Sequence, residues 1–514
     1  MKTLNKFLPR LPYAASLIAL AAGLSWISSG FAHLSSLPSF LVLLTIAVGL
    51  FGLTWRILRP EQPPRWLAWL TGAAVLLRLL MGVVWLLALP AGGYDTDVQQ
   101  AGYVMQDAFN RDQAAWQLAQ SETPLVHAFQ GYSHTDQYGG LLFLSAAVYR
   151  YLGGGEHQPL MVLVLAAAVS GLAVAYTWAF ARRTLGPRVA HLAACGVALY
   201  PEAVLLGSSQ MREAFTVCLL PLALYALLRC REKLSAANLA LLLVPLGLTA
   251  ALTSAFIPSL LGTLALVFLA IERWPWLRSR RVWLGVLAAT GLGVLLFFLL
   301  FDESELWLVQ AAQWQVYVSA NASGWVAREF ERLPLGAQIP FLVSYGVLRP
   351  LLPAALTAGG PLVWTMIGVW RALGWTVLLA FLLYAIYLVL RDRKWLEVPG
   401  ALLLAVWATN ILTSYRGGGD LWDNPRYRSA FASIQLILAA WAWVRSRERS
   451  DPWLHRSIGV AVCLLVWFIP WYLRRYADFE WPLVDLHQVA GVGLATAGLY
   501  ILSDWMRSNA SPSS

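Results

Sequence analysis

Long apolar runs separated by short basic turns fill most of this chain, and that rhythm predicts a bundle of hydrophobic helices. Fourteen runs reach or approach the ~20 residues that a bilayer core requires: Leu11–Gly30, Leu37–Leu58, Trp66–Pro90, Pro159–Ala181, Val189–Gly207, Glu213–Leu228, Ala236–Phe256, Ile257–Ile271, Val282–Phe301, Trp370–Leu390, Val398–Tyr415, Ser429–Val444, Ser457–Leu473 and Val484–Leu502. The eighth is the shortest. Two intervals break the rhythm. Ala91–Gln158 opens with Gly92-Gly93-Tyr94-Asp95-Thr96-Asp97 and later reads His134-Thr135-Asp136-Gln137-Tyr138, and Asp302–Val369 is a second long interruption. A chain that only had to sit in lipid would need neither.

Composition agrees with this pattern. Hydrophobic residues make up 59% of the chain and charged residues 12%, with a mean hydropathy of +0.61. A soluble domain of this size would expose too much apolar surface to stay in solution. The first run has a basic start and an apolar core, but no small-residue cleavage site precedes Leu37, so it reads as a retained helix rather than a signal peptide. The four cysteines, Cys195, Cys218, Cys230 and Cys463, lie in or at the ends of runs without metal spacing or a disulfide framework, as small packing residues do.

Charge then orients the bundle. With both termini inside, the inner turns hold 24 of the 37 Lys and Arg residues, the outer segments hold 11, and Arg78 and Arg371 fall within or beside runs. The 27 acidic residues divide as 8 inside and 19 outside. The formal net charge of +10 is thus a record of membrane orientation, and no nucleic-acid partner is expected. Tyr138–Leu152 is apolar enough to look like a crossing, but a crossing there would invert every later basic turn. It is better read as a helix at the outer interface, where Tyr138, Tyr149 and Tyr151 suit the headgroup region. Pro340–Leu356 reads the same way. The expected domains are two additional helices over 1–65, a module over 66–301 containing the first outer loop at 91–158, a second outer loop over 302–369, and C-terminal helices over 370–514.

Chemistry is expected on the outer face. Asp95 and Asp97 follow the third run at headgroup depth, where a carboxylate can serve as a base; a solvated loop start is the plain alternative. Arginines retained outside against the charge bias call for partners. Arg212 stands beside Glu213, and Arg426 and Arg428 flank Tyr427 at the start of the twelfth run. Their planar forks suit either a lipid phosphate or a nearby carboxylate. His134 and Asp136, joined in space by Asp95 and Asp97, would offer ligands to a divalent metal. Arg78, in the middle of a run, must face the bundle interior, to an ion pair, backbone carbonyls or a substrate. No phosphate-cradling glycine loop is present, so no nucleotide cofactor is expected and energy must arrive in the substrate.

The order of these features resembles the GT-C glycosyltransferases, the superfamily of protein O-mannosyltransferases, aminoarabinose transferases and many bacterial family 39 members. The resemblance spans roughly Trp66 to Leu502. A helix with an arginine precedes a large outer loop with acids (Arg78, then Asp95 and Asp97). A later acid leads to an interfacial helix ending in glycines (Asp136 to Leu152-Gly153-Gly154). A helix then ends in Arg182-Arg183, the next in Tyr200-Pro201-Glu202, and Arg212-Glu213 and Pro425-Arg426-Tyr427-Arg428 open later helices. The chain departs from the family at Gln137-Tyr138, where a Pro-Pro pair is common.

The resemblance implies an all-α polytopic fold in the plasma membrane and an inverting glycosyltransferase active at the extracytoplasmic face. It would move a hexose or pentose from a polyprenyl-phosphate donor to a hydroxyl of a lipid, glycan or protein acceptor. Asp97 or Asp95 would take the acceptor proton. Arg426, Arg428 and Arg212 would bind the donor phosphate, and Glu213, Asp136 and His134 would orient the acceptor or hold a metal. A transporter, a polysaccharide-export component and a lipid-linked glycan polymerase or ligase are the competing readings.

Overall fold

The computed structural model describes residues 11–130, 135–272, 324–417, 423–477 and 479–510. Every regular element among them is helical. Nine of the described helices are long and apolar enough to cross a membrane, or ten if one bent pair counts as a single crossing. The expected run Val282–Phe301 lies outside the described residues. The chain divides into two compact units, Met1–Pro258 with Pro361–Trp364, and Ser259–Gly360 with Thr365–Ser514.

In the first unit, α1 (Leu11–Ser28), α2 (Leu37–Leu58) and α3 (Arg65–Gly92) precede the first polar interval. That interval folds into α4 (Asp97–Gln100), α5 (Gln106–Gln120) and α6 (Gly140–Leu152). It is followed by α7 (Leu160–Leu185), α8 (Pro187–Leu199), α9 (Pro201–Gly207), α10 (Glu213–Glu232) and α11 (Ala236–Thr253). α7 is the hub and packs against α2, α3, α8 and α10. It is buried nearly all round from Leu160 to Ala181. Its small residues Ala166, Ala167, Ala168, Gly171, Ala173 and Ala175 let neighbouring backbones approach, the usual way helices pack in lipid.

α6 has 13 residues, about 20 Å of helix, too short for the ~30 Å hydrocarbon core. It does not span. It packs against α5 and buries Leu141, Leu142, Ala146 and Tyr149. The seventh and eighth expected runs are not separated by a loop. α11, a 3-10 turn at Ser254–Phe256 and α12 (Ile257–Glu272) make one apolar helical run of 37 residues.

The fifth expected run is broken. α8 and α9 meet at 52° because Pro201 has no N–H to give Val197 and cannot continue the ladder. Arg78, fully buried on α3, repairs the break. Its Nη2 donates to Val197 O at 2.9 Å and its Nη1 to Ala198 O at 3.3 Å and Ala74 O at 3.0 Å, while Nε donates to Ser170 Oγ at 2.9 Å. Of the roles open to Arg78, the structure selects the backbone-carbonyl one. Gly207 makes room: a Cβ there would lie 2.5 Å from Ser170 Oγ and 2.7 Å from Arg78 Cδ.

The second unit holds α13 (Gly324–Arg332), α14 (Leu335–Leu348), α15 (Leu352–Leu356), α16 (Leu362–Arg391, its first residues in the other unit), α17 (Val398–Gly417), α18 (Asp423–Ser429), α19 (Ala432–Arg449), α20 (Pro452–Tyr476) and α21 (Leu486–Ala510). α17 packs on α14, α18 and α19, and α20 pairs with α21. α19 starts later than expected because the segment carrying Arg426 and Arg428 forms a helix of its own. The loop at α16's end is tied by ions: Asp392 meets Arg391 at 3.1 Å and Arg449 at 2.6 Å, and Asp451 receives Arg391 and, at 2.8 Å, the Tyr384 hydroxyl.

Candidate active site

The first polar interval begins where α3 ends. Thr96 caps α4, its Oγ1 accepting from Gln99 N at 3.4 Å, so Asp97 becomes the first residue of that helix. Asp95 accepts from Gln100 Nε2 at 3.5 Å. Both carboxylates are exposed. Beneath them the buried Gln99 braces the turn: its Oε1 accepts from Tyr94 N at 2.5 Å and Trp364 Nε1 at 2.8 Å.

α5 then places two adjacent charges in the interior. Arg111 is 2% exposed and Asp112 1%, and they serve different partners. Arg111 Nε lies 3.4 Å from Asp136 Oδ2, and its Nη1 donates to Gln210 O at 3.1 Å. Burial pulls the Arg111 guanidinium below its ordinary range; Asp136 opposes the fall, Arg212 adds to it, and Glu213 opposes it.

Asp136 is placed by its own helix. Its Oδ2 accepts from Leu142 N at 3.2 Å and its Oδ1 from Tyr138 N at 3.5 Å, so it sits at the positive end of α6, where a carboxylate is favoured. Gly139 allows that turn, with φ +77 and Ala128 O only 2.4 Å from where a Cβ would stand. Arg212, just before α10, comes within 3.6 Å of Asp136 Oδ1 and lies 4.8 Å from the Tyr138 ring centroid. Arg111 and Arg212 therefore flank one carboxylate whose side chain is closed to solvent.

The structure thus joins Asp136 with Arg212, next to Glu213, which is buried at the start of α10. It leaves Asp95 and Asp97 on the exposed rim, and none of the described hydrogen bonds or ion pairs joins them to Asp136. His134 lies outside the described residues. A divalent cation does not fit at Asp136, where it would meet two guanidiniums and a carboxylate already accepting two N–H groups. No group of three or more His, Cys, Asp and Glu residues suited to a metal occurs among the described residues. No step through a metal follows from this site.

Sequence reasoning did not single out Arg111, Asp112 or His157. The signal was present but weak: an Arg-Asp pair within an apparently polar loop becomes notable only once α5 buries it. Asp112 collects three donors. Tyr103 Oη gives to Oδ2 at 2.5 Å, Tyr149 Oη to Oδ1 at 2.5 Å, and His157 Nε2 lies 2.6 Å from Oδ2. Burial, and then the Asp112 charge, push both phenols well above their ordinary 10.0.

In the second unit, Arg428 is turned to structure. Its Nη1 donates to Val347 O at 3.3 Å, its Nη2 to Arg349 O, and its Cζ lies 3.3 Å from the Trp375 ring centroid. It thereby meets carbonyls left open at the end of α14. Arg426, 5% exposed, donates from Nη2 to Tyr427 Oη at 3.2 Å.

Residues 143–314, about a third of the chain, match the family model of dolichyl-phosphate-mannose-protein mannosyltransferases. Among solved structures, the chain is similar to an archaeal oligosaccharyltransferase, AglB from Archaeoglobus fulgidus. One structure, in complex with an inhibitory peptide and a dolichol-phosphate, has 16% identity and a TM-score of 0.37, covering 84% of this chain and 54% of that one. Another, in the apo form, has 17% identity and a TM-score of 0.39, covering 84% and 55%. A third, a complex with Zn and sulfate, has 15% identity and a TM-score of 0.36, covering 85% and 56%. The chain therefore spans about half the length of these proteins. No curated protein matches it. The family match agrees with the GT-C resemblance read from the sequence, and the nine long apolar helices among the described residues agree with a multi-pass membrane protein.

Proposed function

We propose that this protein moves a sugar from a polyprenyl-phosphate donor to an acceptor hydroxyl at the extracytoplasmic face, inverting the anomeric carbon. The observation that carries this reading is the match of residues 143–314 to a family whose description names a lipid-phosphate sugar. The exposed Asp95 and Asp97 and the buried Arg111–Asp136–Arg212 cluster support it.

In this reaction Asp97, or Asp95, takes the proton from the acceptor hydroxyl as its oxygen attacks the anomeric carbon. The bond from that carbon to the phosphate oxygen breaks, and the lipid phosphate leaves with the electron pair. That charge calls for cations. The donor-phosphate role is assigned to Arg426, Arg428 and Arg212, of which Arg428 also serves backbone carbonyls. Asp136 acts by fixing Arg212 and the start of α6, and Glu213 beside Arg212 orients the acceptor.

The assignment is tested in membrane vesicles with a panel of radiolabelled polyprenyl-phosphate hexoses and pentoses. Asp97→Asn, or Asp95→Asn, should abolish transfer while the protein is expressed normally. Full activity in both single variants and in the double variant would remove the base assignment.

A further inference from the structure

Asp112 is a carboxylate that the proposed reaction does not use. Its side chain is closed to solvent, yet among the described residues its one ionic partner is His157. Burying such a charge is costly unless hydrogen bonds replace water, and here three donors do so. They come from three places in the interval: Tyr103 from the turn after α4, Tyr149 from α6, and His157 from the loop before α7. The imidazole is held from a second side, stacked on Trp116 of α5 at 5.3 Å and 26° and edge-on to Tyr149 at 5.3 Å.

Two links lead from this clasp to the proposed site. Tyr103 N donates to Val98 O at 3.0 Å and Gly102 N to Gln99 O at 2.9 Å, so the Tyr103 hydroxyl ties the helix that carries Asp97 to α5. Asp112 also follows Arg111 directly, so fixing Asp112 fixes the face of α5 from which Arg111 reaches Asp136. We propose that Asp112 is a positioning residue, which through Tyr103 and Arg111 holds the Asp97 turn and the Arg111–Asp136 pair in register, with His157 as the donor that completes its shell. This rests on the reading of Asp97 as the base.

The test uses the full-length protein in vesicles and has two arms. In the first, Asp112→Asn should lower kcat by at least about tenfold, the equivalent of one hydrogen bond to a charge, while KM for the polyprenyl-phosphate sugar changes far less. His157→Ala should also lower kcat, and His157→Gln, whose amide can still donate to Asp112, should restore most of it. A purely structural role would lower thermal stability in all three variants without that split or rescue. Wild-type kcat in Asp112→Asn, or equal loss in His157→Ala and His157→Gln, would overturn the proposal. The second arm does not depend on the reaction. Tryptic cleavage after Arg111, which the folded helix shields, should be at least about tenfold faster in Asp112→Asn and in His157→Ala, the latter leaving the cleavage-site sequence intact. Unchanged cleavage in both overturns the clasp even if the wild type shows no transfer, whereas faster cleavage without transfer retires the functional reading and leaves the clasp standing.

Discussion

Arg111 and Asp136 meet at 3.4 Å in the first polar interval, with 2% and 0% of their side chains exposed. Asp136 also faces Arg212, so removing the carboxylate would leave two guanidiniums close together in a dry site. Breaking such a pair from one side typically costs ~3–5 kcal/mol, while replacing both partners with apolar residues costs much less. Asp136→Leu should therefore lower the melting temperature in detergent more than the double variant Arg111→Met/Asp136→Leu. Losses in Arg111→Met and Asp136→Leu that simply add up in the double variant would show that the pair is not coupled.

A second outcome concerns the broken helix. Arg78 serves the Val197 carbonyl that Pro201 leaves without its donor and the neighbouring Ala198 carbonyl, so Arg78→Leu should strand both at about 1–3 kcal/mol each. The loss should appear in thermal unfolding. Ser170→Ala, which removes a single hydroxyl acceptor, should cost distinctly less. Equal effects would mean that the break is stabilised by something other than Arg78.

Gly207 gives an independent check of the same region. A methyl group there would crowd Ser170 Oγ and Arg78 at 2.5 and 2.7 Å, so Gly207→Ala should destabilise by about 1–3 kcal/mol, despite alanine's better helix propensity. Gly247→Ala, with open space around its Cβ, should be neutral or slightly stabilising by the same assay.

Legibility followed physical scale. Long apolar runs were readable because the bilayer imposes their length, and α2, expected as Leu37–Leu58, begins and ends there. That Tyr138–Leu152 does not form a helix of membrane-crossing length was readable because a crossing there would have inverted the later basic turns. α5 was not, because its polar residues mask a helix whose inward side carries Arg111 and Asp112. The joining of α11 to α12 was hidden because a single 3-10 turn looks, in sequence, like an ordinary loop. At the site, Arg212 and Asp136 were singled out separately, but their pairing depends on contacts 76 positions apart in the chain. The backbone contacts of Arg428 were not legible, since nothing local to Pro425-Arg426-Tyr427-Arg428 reveals the carbonyls of Val347 and Arg349.

Acid should loosen the second unit at the Asp392–Asp451 cluster. Burial alone would raise the Asp451 pKa, but donors from Trp453 N, Tyr384 and Arg391 outweigh it and hold the group below its ordinary 3.8. Asp392 is lowered in the same way, its burial outweighed by Arg391, Arg449 and Arg445. Because the folded values lie below the unfolded ones, this stability is present above about pH 4 and is lost as pH falls through the folded values. Melting temperatures measured from pH 7 to pH 3 should fall less steeply in Asp451→Asn than in the wild type. Parallel curves would contradict the role given to this cluster.

The central claim is transfer from a lipid phosphate with Asp97 as the base. Wild-type protein in proteoliposomes should release polyprenyl phosphate in step with sugar appearing on an acceptor hydroxyl, with the anomeric configuration inverted as read by NMR of the product. Asp97→Asn and Arg426→Ala should each lose that release while inserting normally. Sugar transfer with retained configuration, or undiminished release in both variants, would contradict the account.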